Sequence, residues 1–172
     1  MKDNFVILGI VLFSGFLLSI NIKKPLIGQH DWNGVVYGQQ AKNFVRYGYF
    51  PLRFGATADI GIHPVGELRF TTHYTPVLPI LISFSYRIFG VSEWSTRLVA
   101  LAASLFTVGL IINLGKIIFD RQTGLLAGIL ASLTPMFIYY GKNPVHEIVQ
   151  LPFILMSFLS YYSWFKTGKS IW

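Results

Sequence analysis

An all-α, polytopic membrane fold is what this sequence predicts, and three observations carry the prediction. Of the 172 residues, 53% are hydrophobic and only 12% are charged, whereas a soluble domain carries about 25% charged residues. The apolar residues gather into several runs long enough, or nearly long enough, to cross a bilayer. One long stretch, 22–93, is polar to mixed in character and rich in Gly, Pro and aromatics. The expected architecture is four transmembrane helices with a long external loop that carries interfacial, juxtamembrane helices.

Residues 5–20 (FVILGIVLFSGFLLSI) form an apolar run of about 16 residues, near the lower limit for a span. A cleaved signal peptide would want a basic start and a small-residue cleavage site. Met1-Lys2-Asp3-Asn4 and Ile22-Lys23-Lys24-Pro25 supply neither, so the run is expected to be a retained first span. Residues 34–47 then read as a helix capped by Asn33 and ended by Gly48. Gln39, Lys42, Asn43 and Arg46 form a polar stripe on it, and Tyr37, Ala41, Phe44 and Val45 cover the other side, a pattern for a membrane surface or a protein groove. From Tyr49 to Tyr74 the punctuation by Pro51, Gly55, Gly61, Pro64 and Gly66 predicts loop. Residues 76–89 (PVLPILISFSYRIF) are strongly apolar but short, with Pro79 and Arg87 inside, so an interfacial or re-entrant helix is expected. Gly90 closes it, and Ser92 with Glu93 reopens a helix.

Three long apolar runs, 94–119, 123–140 and 148–165, complete the spans. Pro135 is expected to bend the second of them. The last ends in Tyr161, Tyr162 and Trp164, an interfacial aromatic belt followed by Lys166 and Lys169. If 76–89 does not cross, Asp31 and Glu147 share the external side, and Lys116, Asp120, Arg121 and both termini are cytoplasmic. If it does cross, the bilayer separates the two acids. The basic residues Lys116, Arg121, Lys166 and Lys169 suit a cytoplasmic face, while Lys23, Lys24, Arg97 and Lys142 flank spans on the outer face against the usual bias.

The net charge of +7 is not clustered in the stacking pattern of a nucleic-acid binder, and no cysteine is present to form disulfides or thiolate metal sites. Basic residues beside a membrane point instead to lipid head groups or phosphate-bearing substrates. Among the external acids, Asp31 and Glu147 each follow a histidine, His30 and His146, where a span meets the outer surface. A carboxylate there can take a proton from an acceptor or orient it for attack. The same acids read equally well as helix caps or as partners of a nearby base such as Lys142. His63, Glu67 and His73 are metal-ligand types within one loop, but their spacing matches no compact motif, so no divalent cofactor is assigned. Lys42, Arg46, Arg69, Arg87, Arg97 and Lys142 are candidate phosphate partners, with Arg87 and Lys142 singled out by their apolar or aromatic settings.

The order of features resembles the N-terminal part of the GT-C glycosyltransferases that use polyprenyl-phosphate sugars. The aminoarabinose transferase of lipid A and the protein O-mannosyltransferases are the nearest likenesses. The resemblance rests on Asp31 soon after the first span, YGQQAKNFVRYGYF as a first juxtamembrane helix, THYTPVLPILISFSYRIFGVSEWSTRLVALAASL as loop, second juxtamembrane helix and second span, and GKIIFDRQTGLLAGILASLTPMFIYYGKNPVHE as cytoplasmic turn, third span and second external acid. It implies that Asp31 is the catalytic acid and Glu147 the second one. It implies that His73 lies near a position that contacts carrier phosphate or metal, and that His30, Arg87, Lys142 and His146 contribute to substrate binding. Tyr74 stands where a lysine is common, and Lys142 where an arginine is frequent. The implied partners are a polyprenyl-phosphate sugar donor, a lipid, glycan or protein acceptor, and membrane lipids. Relatives of this kind continue with further spans and a soluble portion, so the chain is expected to be the N-terminal portion of a longer enzyme, inactive alone, with the remaining spans following or supplied by a separate chain. The alternatives are a non-catalytic module that binds a lipid carrier or partner subunit, and a transporter fragment. The latter would want ionisable groups inside the spans, where only Asn113 and Gln150 are strongly polar.

Overall fold

The computed structural model describes residues 2–28 and 30–168. Among these residues the chain is mostly helical, with seven α-helices: α1 (Lys2–Ser19), α2 (Asp31–Tyr47), α3 (Val77–Phe89), α4 (Glu93–Ile118), α5 (Arg121–Leu133), α6 (Pro135–Tyr140) and α7 (His146–Thr167). Two of them, α4 and α7, are long and apolar enough to cross a membrane. The expected aromatic belt lies on the last turns of α7, and Lys169 lies outside the described residues.

The chain divides into two compact units. The first takes the described residues of Met1–Ile20, Leu101–Gly141 and Glu147–Trp172. Its core joins Ile10 of α1 to Val108 and Ile112 of α4, with Ile7, Val11, Leu125 and Phe137 packed around them. Large apolar side chains stand exposed on its surface: Phe5, Leu12 and Phe16 on α1 and Phe153, Ile154 and Phe165 on α7. Asp120 caps α5 by accepting from the Thr123 N–H at 2.8 Å, which also holds its carboxyl below the usual range.

The run 123–140 is not one bent helix. Pro135 has no N–H to donate and forces the residue before it into extended backbone. Thr134 takes φ −64° and ψ 118°, and the run breaks into α5 and α6. The 13 residues of α5 reach about 20 Å, short of the roughly 30 Å of a hydrocarbon core.

The second unit holds Asn21–Ala100 and Lys142–His146. Here α2 packs along α3, and Gly38 lets the helices close: a Cβ there would sit 2.8 Å from the Tyr86 hydroxyl. That hydroxyl meets Thr96 Oγ1 at 2.6 Å. Gly48 and Gly90 end α2 and α3 with φ of 83° and 79°, as the sequence indicates. Ser92 and Ser95 cap α4 reciprocally, each hydroxyl accepting from the other's backbone N–H. The loop expected over 49–74 carries more order than its glycines and prolines suggest. It contains a short antiparallel ladder, β1 (Ala56–Thr57) with β2 (Phe70–Thr71), and a 3₁₀ turn at Val65–Glu67, closed over a core of Phe44, Leu52, Ala56 and Leu68.

The polar stripe of α2 explains that order. Asn43 is fully buried and donates to the Thr57 and Asp59 carbonyls at 2.8 and 3.0 Å. Gln39 donates to Asp59 O, and Arg46 to Gly61 O. Asp59 in turn accepts from Thr57 Oγ1 and from the Arg69 N–H, and the latter bond chiefly holds its carboxyl below the usual range. Three of the stripe's four residues, Gln39, Asn43 and Arg46, therefore secure the loop, and Asn33 is not the cap: α2 begins at Asp31, with His30 before it making no side-chain cap bond.

Candidate functional site

The site is built around the start of α2. Asp31 is 8% exposed. Its Oδ2 accepts from the Gly28 N–H at 2.6 Å, and its own N–H returns a bond to Gly28 O, so the turn before the helix folds back on its carboxylate. Its Oδ1 meets Arg97 Nη2 at 3.4 Å, the ion pair formed among the described residues. Arg97 rises from the first turns of α4 and is 3% exposed. Its Nη1 donates to the carbonyls of Ile22 and Lys24, which ties the segment after α1 to the same guanidinium.

Two further cations belong to this neighbourhood. Lys142, half-buried, has its pKa lowered first by burial and then by the positive charges of Arg97 and Lys24. Three basic side chains thus lie within electrostatic reach of one another, with Asp31 bonded to Arg97, and that excess of positive charge favours an anion. The sign of the lysine's linkage is definite. Its folded pKa lies below the unfolded 10.5, so the unfolded chain holds the proton more firmly and stability rises as pH climbs through that window. Lys142→Met is expected to flatten the rise of the melting temperature toward alkaline pH. Melting curves of both proteins from pH 7 to 10.5 check this; an unchanged pH profile would refute it.

Next to this cluster in sequence, His146 is 6% exposed and sits between two tyrosines. Tyr74 stacks on it at 4.9 Å and Tyr37 meets it edge-on at 4.6 Å. His73 is exposed, its ring edge-on to Tyr74 at 5.8 Å. Tyr74 thus serves as an aromatic wall joining His73 to His146.

The remaining candidates have other neighbours. His30 is exposed at the position before α2. Arg87 lies 4.9 Å over the Tyr49 ring, at one end of an aromatic ladder that includes Phe54 and Phe84, rather than beside Asp31. Glu147 is exposed on the first turn of α7 and belongs to the other unit. The His63 Nε2–H donates to the Ile60 carbonyl, and Glu67 lies in the 3₁₀ turn. Among the described residues no three His, Asp or Glu side chains gather as a metal ion would require.

Arg97 is the residue whose role sequence reasoning underrated. It stood as one basic residue among six, and as a charge on the wrong side of a span. Its signal was present: it is a lone guanidinium in the first turns of a long apolar helix, and such a charge needs a partner. The partner named from sequence for a structural acid was Lys142, whereas the ion pair is made by Arg97.

The family model described as dolichyl-phosphate-mannose-protein mannosyltransferase matches residues 73–172. The matched stretch contains His73, Arg87, Arg97, Lys142, His146 and Glu147, and it begins after Asp31. No curated protein and no solved structure matches the chain.

Proposed function

We propose, from the premise that the chain belongs to the dolichyl-phosphate-mannose-protein mannosyltransferase family, that it is the N-terminal module of a membrane enzyme moving a sugar from a polyprenyl-phosphate donor to an acceptor on the extracytoplasmic face. The observation that carries this reading is the buried Asp31, oriented by Arg97 and Gly28 and accompanied by Lys24 and Lys142.

In the proposed step an acceptor hydroxyl or amine attacks the anomeric carbon from the face opposite the phosphate. The new bond to carbon forms as the bond from the anomeric carbon to the phosphate oxygen breaks, and the electron pair leaves with the lipid phosphate. Asp31 takes the acceptor's proton. Negative charge grows on the departing phosphate, which Lys24 and Lys142 stabilise. Arg97 acts as a positioning residue, since its bonds go to Asp31 and to the 22–24 carbonyls. His73 and Tyr74 offer ring faces and edges suited to a sugar, with His146 packed behind Tyr74. Glu147 enters as the second external acid on the strength of the sequence alone. The module is proposed to be membrane-integral, with α1, α4, α7 and the broken α5–α6 run as the four spans and with α2 and α3 at the interface. The 13 residues of α3 reach about 20 Å, and this supports a helix that does not cross.

Asp31→Asn keeps the shape of the side chain and most of its bonds while removing the base. In the enzyme that carries this chain, transfer from a polyprenyl-phosphate sugar is expected to fall by about 10²-fold or more per mole of folded protein. Activity near that of the parent enzyme would discard the assignment. The Arg97 contact favours one rival, a carrier-binding module in which Asp31 is purely structural. In that case donor binding and any transfer both survive Asp31→Asn, provided the protein still folds.

A further inference from the structure

A second concavity lies in the same unit, and neither Asp31 nor Arg97 lines it. It is a cavity of about 430 Å³ between the Pro25–Ile27 turn, the outer side of α2, the end of α3 and the start of α4. That size suits a small ligand or a head group. Its lining is sorted by chemistry. Gly34 and Gly38 line it along α2, and the Tyr86 and Thr96 hydroxyls, bonded to each other, supply polar atoms. Lys42 contributes an ammonium from α2 and Glu93 a carboxylate from α4.

Both charges are exposed, and neither makes an ion pair or hydrogen bond through its side chain among the described residues. Two opposite charges on one small cavity that do not neutralise each other match a ligand carrying both signs. Glu93 is near enough to add to the burial that raises the Tyr86 pKa, which places its field on the cavity. The rim is apolar and exposed: Ile27 is 81%, Val35 46% and Val91 56% accessible. A soluble zwitterion would have no use for such a rim, whereas the glycerol and acyl roots of a lipid would cover it.

The geometry points to a binding site for the head group of a zwitterionic phospholipid bearing a primary ammonium, with phosphate on Lys42, ammonium on Glu93 and acyl roots on Ile27, Val35 and Val91. The site is separate from the proposed transfer chemistry, and the lipid is a resident of the module rather than a reactant. Phosphatidylglycerol lacks the ammonium and brings only an anion toward Glu93, so it is the discriminating competitor.

The test uses the whole chain in nanodiscs of defined composition, with retained lipid read by native mass spectrometry. Phosphatidylethanolamine is expected to be retained over phosphatidylglycerol by about tenfold. Glu93→Gln is expected to abolish that preference, and Lys42→Gln to weaken retention of both lipids. Both side chains are exposed and unpartnered, so melting temperatures should not move, and Asp31→Asn should leave the preference intact. Equal retention of the two lipids by the parent chain would overturn the inference, as would a preference untouched by Glu93→Gln. Soluble phosphoethanolamine at matched concentration is expected not to displace the lipid; displacement would overturn the assignment to a lipid.

Discussion

Arg97→Met is expected to cost about 3–5 kcal/mol of stability, the penalty for leaving one member of a buried ion pair alone. That is a large fraction of the 5–15 kcal/mol that holds a typical domain together. Asp31 is 8% exposed and Arg97 3%, so neither charge is shielded by water as a surface pair would be. The pair itself is single and 3.4 Å long, which on its own argues for the lower end of the range. The Ile22 and Lys24 carbonyls, which lose their donor in the same substitution, push the cost upward. Methionine matches the length of the arginine stem, so the loss reports the guanidinium rather than a cavity. The double substitution Arg97→Met with Asp31→Asn is expected to cost clearly less than the sum of the two single ones, because it no longer buries an unpaired carboxylate. Denaturation of the four proteins in one detergent gives the coupling energy directly. A loss below about 1 kcal/mol for Arg97→Met, the value of an exposed pair, would mean that the guanidinium does not anchor this turn.

The same pair shows where sequence stops being legible. Asp31 was visible because an acid just after an apolar run is conspicuous, but Arg97 lies 66 residues further on, and nothing local links the two. The two long apolar helices were legible because length and apolarity are properties of a single segment: α4 and α7 fall within about two residues of the runs 94–119 and 148–165. Gly48 and Gly90 were legible for a similar reason, since left-handed backbone selects glycine locally. The polar stripe of α2 was not. Composition cannot distinguish an amide facing water from one that holds a loop carbonyl, and Asn43 does the latter from a fully buried position. Pro135 reads as a bend because the sequence does not say whether neighbouring packing will satisfy the freed backbone groups; here the helix stops instead.

One legible signal went unused, and it sets the strongest expectation for the first unit. Gly124 and Gly128 stand four apart on α5, with Ser132 four further on, and all three are buried. Small residues at that spacing let helix backbones touch, which matters most in a membrane, where apolar burial does not drive helices together. The contact is with α4: a Cβ on Gly124 would lie 2.5 Å from Ile112 O and 2.7 Å from Lys116 N, while one on Gly128 would lie 2.3 Å from Ile112 Cγ1. In an isolated helix either Gly→Ala change would gain up to about 1 kcal/mol. Here overlap decides the sign, and the two positions differ in what they strike. At Gly124 the obstacle is backbone, which can yield only if the helices part, so Gly124→Ala is expected to destabilise by about 1–3 kcal/mol. At Gly128 the obstacle is a side chain, so Gly128→Ala is expected to cost less, and Ile112→Ala in the same protein should recover part of the loss. Ile112→Ala cannot rescue Gly124→Ala, because the carbonyl it meets remains in place. Thermal unfolding of the two glycine variants, each with and without Ile112→Ala, separates these cases. Equal rescue at both positions would show that the α4–α5 contact is made by side chains rather than by backbone.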